Sequence, residues 1–159
     1  MRALLVSVFV LVLAAPALGQ PPLAEAPPNT PDPSISDGSA QRKLDRARKR
    51  WRKAGLRSYR FELTRHCFCP PASWALLVRG DKPVRAPAEA RKVATVRRLH
   101  RRIQDAIDER VAGLSVRYDK RGIPRVIAID GQQLVADDEI GYEVEHFWRG
   151  TRGRGGPEQ

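Results

Sequence analysis

Between Ser39 and Ala54 the apolar residues Leu44, Ala47, Trp51 and Ala54 recur at helical spacing, and nearly every position between them is Arg, Lys, Gln or Asp. The pattern predicts a helix with one narrow apolar face, with Ser39 placed to cap its start and Gly55 to stop it. After Ser58 the period changes. Tyr59, Phe61 and Leu63 alternate with Arg60, Glu62 and Thr64, which is the period of a strand with one buried face. A second strand follows in "SWALLVRG", and Gly80-Asp81 marks its end or a turn within it. From about Thr95 to Val111 the residues Val96, Leu99, Ile103, Ala106 and Ile107 form a continuous apolar stripe, predicting a second helix. Three strands complete the pattern. "LSVRYD" and "PRVIAID" flank "KRGI", where Asp119 and Gly122 suit a short hairpin loop, and "EIGYEVEHFW" sets Ile140, Tyr142 and Val144 against Glu143 and Glu145.

The predicted order is helix-strand-strand-helix-strand-strand-strand. Strands joined by hairpins, with helices segregated from them, imply an α+β fold: an antiparallel sheet of about five strands, packed on one face by two helices as a two-layer sandwich. No repeat period suggests a solenoid. The ends of the chain differ in kind. Met1 and Arg2, the apolar run "ALLVSVFVLVLAA" and the small residues of "APALGQ" read as a signal peptide over residues 1–19, with Ala15-Pro16-Ala17 as an alternative cleavage motif to Ala17-Leu18-Gly19. The run is shorter than the roughly 20 apolar residues a membrane-spanning helix needs, and none of that kind follows it. Residues 20–38 are rich in proline and small polar residues and read as a disordered linker. Residues 39–148 form one domain of a size that buries one modest core. Residues 149–159, rich in Gly and Arg, read as a frayed tail. The expectation is a soluble protein exported to the periplasm or the exterior.

Charge sharpens this picture. The chain holds 29 Lys and Arg against 18 Asp and Glu, a formal net charge of +11. The cations crowd Arg42–Arg60 and Arg91–Arg110, whereas "ADDEIGYEVE" is acidic. On the second helix Arg97, Arg98, Arg101 and Arg102 share the face opposite the apolar stripe. Arg97/Arg101 and Arg98/Arg102 are like-charge pairs that each cost roughly 0.2–0.5 kcal/mol, offset in part by Arg101 with Asp105. An exported protein so charged is drawn to anionic envelope lipid or polymer. The first helix, cationic outside its apolar face, suits adsorption to anionic headgroups as well as docking by Trp51. Phosphate contacts in nucleic acid need only Arg and Lys, and the "RGRGG" tail fits, but a signal peptide excludes an intracellular target.

"SYRFELTRHCFC", "RRLHRRIQDAI", "VRYDKRGIPRVIAID" and "DDEIGYEVE" together resemble a bacterial family catalogued only as domain of unknown function 6174, found in secreted and lipid-anchored proteins. The likeness spans about Trp51 to Val144. The chain lacks the lipobox cysteine of anchored members, since its first cysteine is Cys67. The resemblance implies the domain boundaries and the compartment, and no activity, because the family has none assigned.

"RHCFCPP", residues 65–71, is the densest chemistry in the chain. In an oxidising compartment two cysteines default to a disulfide. Residues two apart in a regular strand have Cα atoms roughly 6.6 Å apart, at the upper end of what a disulfide spans, so the strand must bend there. Pro70 and Pro71 cannot extend a ladder, which puts Cys67 and Cys69 at a strand end. A loop this small gains only about 1.6 kcal/mol from closure. Thiol-disulfide exchange or redox sensing is the alternative, disfavoured because no helix N-terminus activates a thiolate and because parity puts both sulfurs on the core face with Tyr59, Phe61 and Leu63. A zinc site would need His66, Cys67, Cys69 and His100 or His146, yet in a regular strand His66 points away from the cysteines. Pairing of the thiols between molecules also stands open. Asp130 with Asp137, Asp138 and Glu139 lacks the spacing of a calcium loop. His100 reads as a boundary residue of the second helix, and Trp51, Tyr59 and Trp74 as core before platform. No catalytic set, cofactor motif or metal-ligand set is evident. The expected sites are a Cys67/Cys69 disulfide and a basic surface at Arg97, Arg98, Arg101 and Arg102, on a non-enzymatic binding or envelope-associated module.

Overall fold

Alternation and hairpin chemistry generate a six-stranded antiparallel sheet, and two amphipathic helices cover one of its faces. The structure, a computed structural model, describes residues 29–135 and 137–150, apart from the side chain of Arg85. The expected signal peptide, residues 20–28 of the expected linker and residues 151–159 of the expected tail lie outside that range. The elements are a one-turn helix α1 (Pro33–Ser36), α2 (Ser39–Ala54), strands β1 (Tyr59–Cys67), β2 (Ala72–Arg79) and β3 (Lys82–Arg85), a 3-10 helix (Ala88–Val93), α3 (Val96–Asp108), and strands β4 (Gly113–Tyr118), β5 (Pro124–Asp130) and β6 (Ile140–Arg149). The sheet order is β3-β2-β1-β6-β5-β4. Two consecutive hairpin units are therefore joined in the middle by β1 and β6, whose register runs from Tyr59↔Arg149 to Cys67↔Ile140 with one irregularity between Arg60 and Glu62.

The α+β class, the antiparallel sheet and both long helices match the pattern in the sequence. The sixth strand and the two short helices do not appear in it. β3 holds Pro83, which lacks an amide donor and is tolerated here because β3 is an edge strand. The 3-10 helix turns only Ala90 and Val93 inward, too short a stripe for a helical period to register. The start of α2 is also built differently: Gly38 occupies the N-cap position, and the Asp37 carboxylate accepts the Ser39 amide proton at 2.7 Å. Gly55 stops the helix as expected.

Bonds to the sheet are made by residues before Ser39. Asp32 donates its amide to the Val111 carbonyl at 2.9 Å, and its carboxylate accepts from the Leu114 amide at 3.0 Å and from the Ser34 amide and hydroxyl. Asp32 thus bonds to the start of β4 and Asn29 to the Gly131 carbonyl, both within the stretch whose composition reads as linker. At the other end Arg149 pairs with Tyr59 and the Gly150 amide donates to the Ser58 carbonyl, so ordered strand extends into the expected tail.

The core lies between the sheet and the helices. Trp51 of α2 meets Tyr59 edge-on at 5.3 Å, and Tyr59 stacks on Phe147 at 5.2 Å. From α3, Val96, Leu99, Ile103 and Ala106 are buried against the same layer. The hairpin between β4 and β5 is fixed as the sequence suggests: Asp119 accepts the amide protons of Arg121 and Ile123, each at 2.9 Å, and Gly122 adopts a φ of 85°. A Cβ at Gly122 would stand 2.1 Å from the Ala47 carbonyl oxygen, so this turn packs directly on the backbone of α2. His100, expected at a boundary, is 3% exposed, and its Nε2 lies 2.8 Å from the Gly122 carbonyl oxygen. It ties α3 to that turn. Burial pushes the imidazole down to about 4, against the pull of the Gly122 bond and helped by nearby Arg48.

Candidate functional site

The position of the arginine face is set by the start of α3. Thr95 caps it by accepting the Arg98 amide proton at 3.1 Å, and the hydroxyl of Tyr59, reaching across from β1, accepts the Val96 amide proton at 3.0 Å. Two of the free amides at that terminus are thereby satisfied, one of them by a buried tyrosine. The Tyr59 hydroxyl is held well above its ordinary range by burial, so it remains neutral as the acceptor. With this end pinned to the sheet, the apolar stripe faces inward and the arginines face the 3-10 helix.

Between these helices opens a cleft of about 690 Å³. Arg98, Arg101 and Arg102 line one side, and Arg91 and Lys92 of the 3-10 helix line the other; Tyr142 of β6 also borders it. Arg97 departs from the group. It turns toward the β2–β3 turn, 3.7 Å from the Asp81 carboxylate, which Arg57 also approaches at 3.4 Å. Three of the four expected residues are thus brought together, and helical geometry separates the fourth. Positions 98, 101, 102 and 105 form one stripe at three- and four-residue spacing, and position 97 lies at its margin.

Arg102 is the most constrained of the three. Its guanidinium lies 3.7 Å from Glu109, its side chain is 29% exposed, and it borders the cleft together with Tyr142. Burial raises the Tyr142 hydroxyl above its ordinary range even though Arg102 and Arg65 pull it down. Arg98 donates to the Arg91 carbonyl, linking α3 to the 3-10 helix. Five cations and the three carboxylates Glu89, Asp105 and Glu109 share the cleft, leaving two cations in excess. Guanidinium groups that fan around an open, half-solvated space can engage a phosphate, sulfate or carboxylate in bidentate fashion. Tyr142 and the contribution of the 3-10 helix were not visible as site features in the sequence. Tyr142 reads there as a core residue of its strand, and its 7% exposure agrees.

The cysteines lie elsewhere. Their Cα atoms are 5.0 Å apart and their sulfurs are in contact, at the bend that ends β1. Both are half-buried and outside the core, where parity had placed them on the face of Tyr59 and Phe61. The alternation ends with the strand, and no helix covers that end of the sheet among the described residues. Phe68 between them is 80% exposed. His66 turns to the other face of the sheet, 3.8 Å from Glu143, and His146 lies 3.9 Å from Glu62. Among the described residues no group of three or more His, Cys, Asp or Glu side chains is placed to hold a metal ion. Trp51 and Tyr59 are core, and Trp74, half-buried, lies under the Arg65 guanidinium at 5.4 Å. No helix among the described residues is long and apolar enough to cross a membrane.

Comparison with known protein families matches the chain to a family of unknown function, DUF6174, over residues 43–149. That interval starts within α2 and ends with β6, so it takes in the whole sheet, both sides of the cleft and the cysteine bend. Neither the curated proteins nor the solved structures contain a match.

Proposed function

Since the chain belongs to DUF6174, a family that brings no activity with it, we propose from its surface that it is a non-enzymatic binding module, exported to the cell envelope, which holds an anionic lipid or polymer in the cleft between α3 and the 3-10 helix. The observation that supports this reading is the convergence of Arg98, Arg101 and Arg102 with Arg91 and Lys92 on one open cleft that Tyr142 also borders. Cations scattered over solvated helix faces would not converge in this way. In this reading Cys67 and Cys69 form a disulfide that clasps the bend at the end of β1 and take no part in binding.

Vesicles containing an anionic phospholipid test it. Binding should weaken steeply between about 0.01 M and about 0.15 M salt, as the screening length falls from roughly 30 Å to about 8 Å. Replacing Arg98, Arg101 and Arg102 together by Gln should cost on the order of 100-fold in affinity, at about 1 kcal/mol per cation near an anionic surface. Arg97→Gln is the internal control and should leave affinity within about twofold, because Arg97 is already engaged by Asp81. Equal losses from all four positions would replace a defined cleft by diffuse attraction, and salt-independent binding would end the proposal.

A further inference from the structure

The sheet face away from the helices carries a second concavity, of opposite charge. Ser115, Ala128 and Gly141 are register partners across β4, β5 and β6, and the row continues to His66 on β1. All lie on the face that the helices leave bare, and the three smallest side chains make a trough across the strands. A cleft of about 850 Å³ opens over this row. Asp130, Asp137 and Glu139 rim it at the end of the sheet, and Phe68, projecting from the cysteine bend, stands at its β1 side. An acidic trough with a small-residue floor on a chain of net charge +11 selects a cationic segment of low bulk.

The chain itself contains such a segment. Residues 150–156 read Gly-Thr-Arg-Gly-Arg-Gly-Gly, and Arg152 and Arg154 have glycine on one side or both. These arginines cannot reach the trough of their own molecule along the sheet. β6 starts at Ile140, beside the trough, and ends at Arg149, so the tail departs from the far end of a ten-residue strand. That separation is about 30 Å at 3.3 Å per residue, whereas Arg152 and Arg154, two and four residues beyond Gly150, extend at most about 7 and 14 Å from it. We propose that the acidic trough at Asp130, Asp137 and Glu139 receives the Arg/Gly-rich C-terminal segment of a second copy of this chain. The contact is head-to-tail, so each copy offers one trough and one tail, and association propagates unless it closes into a ring.

The experiment uses the intact protein and a synthetic peptide of residues 150–159. The peptide should bind with an affinity that falls at least tenfold over the salt range used for vesicles. Replacement of the three acids (Asp130→Asn, Asp137→Asn, Glu139→Gln) should weaken it at least tenfold while circular dichroism stays unchanged. In sedimentation the protein should self-associate, and either the three-acid variant or an Arg152→Ser/Arg154→Ser variant should sediment alone as a monomer. Mixed, the two variants should form heterodimers, since one retains a tail and the other a trough. A protein that is monomeric at all concentrations, variants that associate as the parent does, or a mixture that fails to pair would each overturn the assignment. So would a peptide with Arg152 and Arg154 retained and its glycines replaced by valine that binds as tightly, because the trough would then be reading charge alone.

Discussion

Single residues here act through the backbone groups they satisfy or crowd. Tyr59→Phe keeps the ring stack with Phe147 but leaves the buried Val96 amide without its acceptor, so denaturant unfolding should show a loss of about 1–3 kcal/mol. Gly122→Ala both strains a φ of 85° and drives a methyl group into the Ala47 carbonyl; a loss of at least about 2 kcal/mol is expected in the same measurement. His100 makes stability depend on acid. Its folded value, about 4, lies below its unfolded value of 6.5, so the neutral form is the one the fold accepts. Its contribution is complete above about pH 6.5 and is lost as pH falls toward 4, up to about 3 kcal/mol. Asp32 works in a lower window: burial opposes its ionisation, but bonds from Ser34 and Leu114 outweigh that and hold the carboxyl below 3.8, so its share is lost only as pH falls below that value. Thermal melts across pH should therefore show two acid arms, and His100→Gln should flatten the upper one and leave the lower.

Elements were legible in the sequence wherever one face is buried over several periods. β1 shows this best, with Tyr59, Phe61 and Leu63 buried and the residues between them half-exposed. α3 follows, because five of its thirteen residues are inward-facing and four of those are apolar. Periodicity could not show the 3-10 helix, with its two inward residues, or the edge strand β3, interrupted by Pro83. Nor could it show α1, which is a single turn held to the domain by Ile35 against the core and by hydrogen bonds of its N-cap Asp32 across some eighty residues of sequence. The site was half legible for a related reason. Spacing on α3 grouped its arginines, but which of them meet a cleft depends on the 3-10 helix and on a tyrosine that reads as core. At this scale the aromatic junction of α2 with the sheet is the clearest target: Trp51→Ala should cost about 3–5 kcal/mol, because the buried indole contacts both Tyr59 and Phe147.

At the scale of the molecule, two neighbouring residues divide the surface. Tyr142 points toward the helices and borders the cationic cleft; Gly141 points the other way and floors the acidic trough. A strand's period of two thus puts opposite charges back to back across one sheet. The strand that carries both is the last among the described residues and stands at the centre of the sheet, between β1 and β5. While the polypeptide is being made, β1 to β3 and β4 with β5 can each fold back as a hairpin unit, but β1 and β5 keep an unpaired edge toward each other until the final ten residues of the sheet have emerged. A chain stopped before Ile140 should accordingly aggregate through those two edges instead of persisting as a smaller domain. Pairing of β6 with both neighbours, rather than any single contact, is what removes those two open edges.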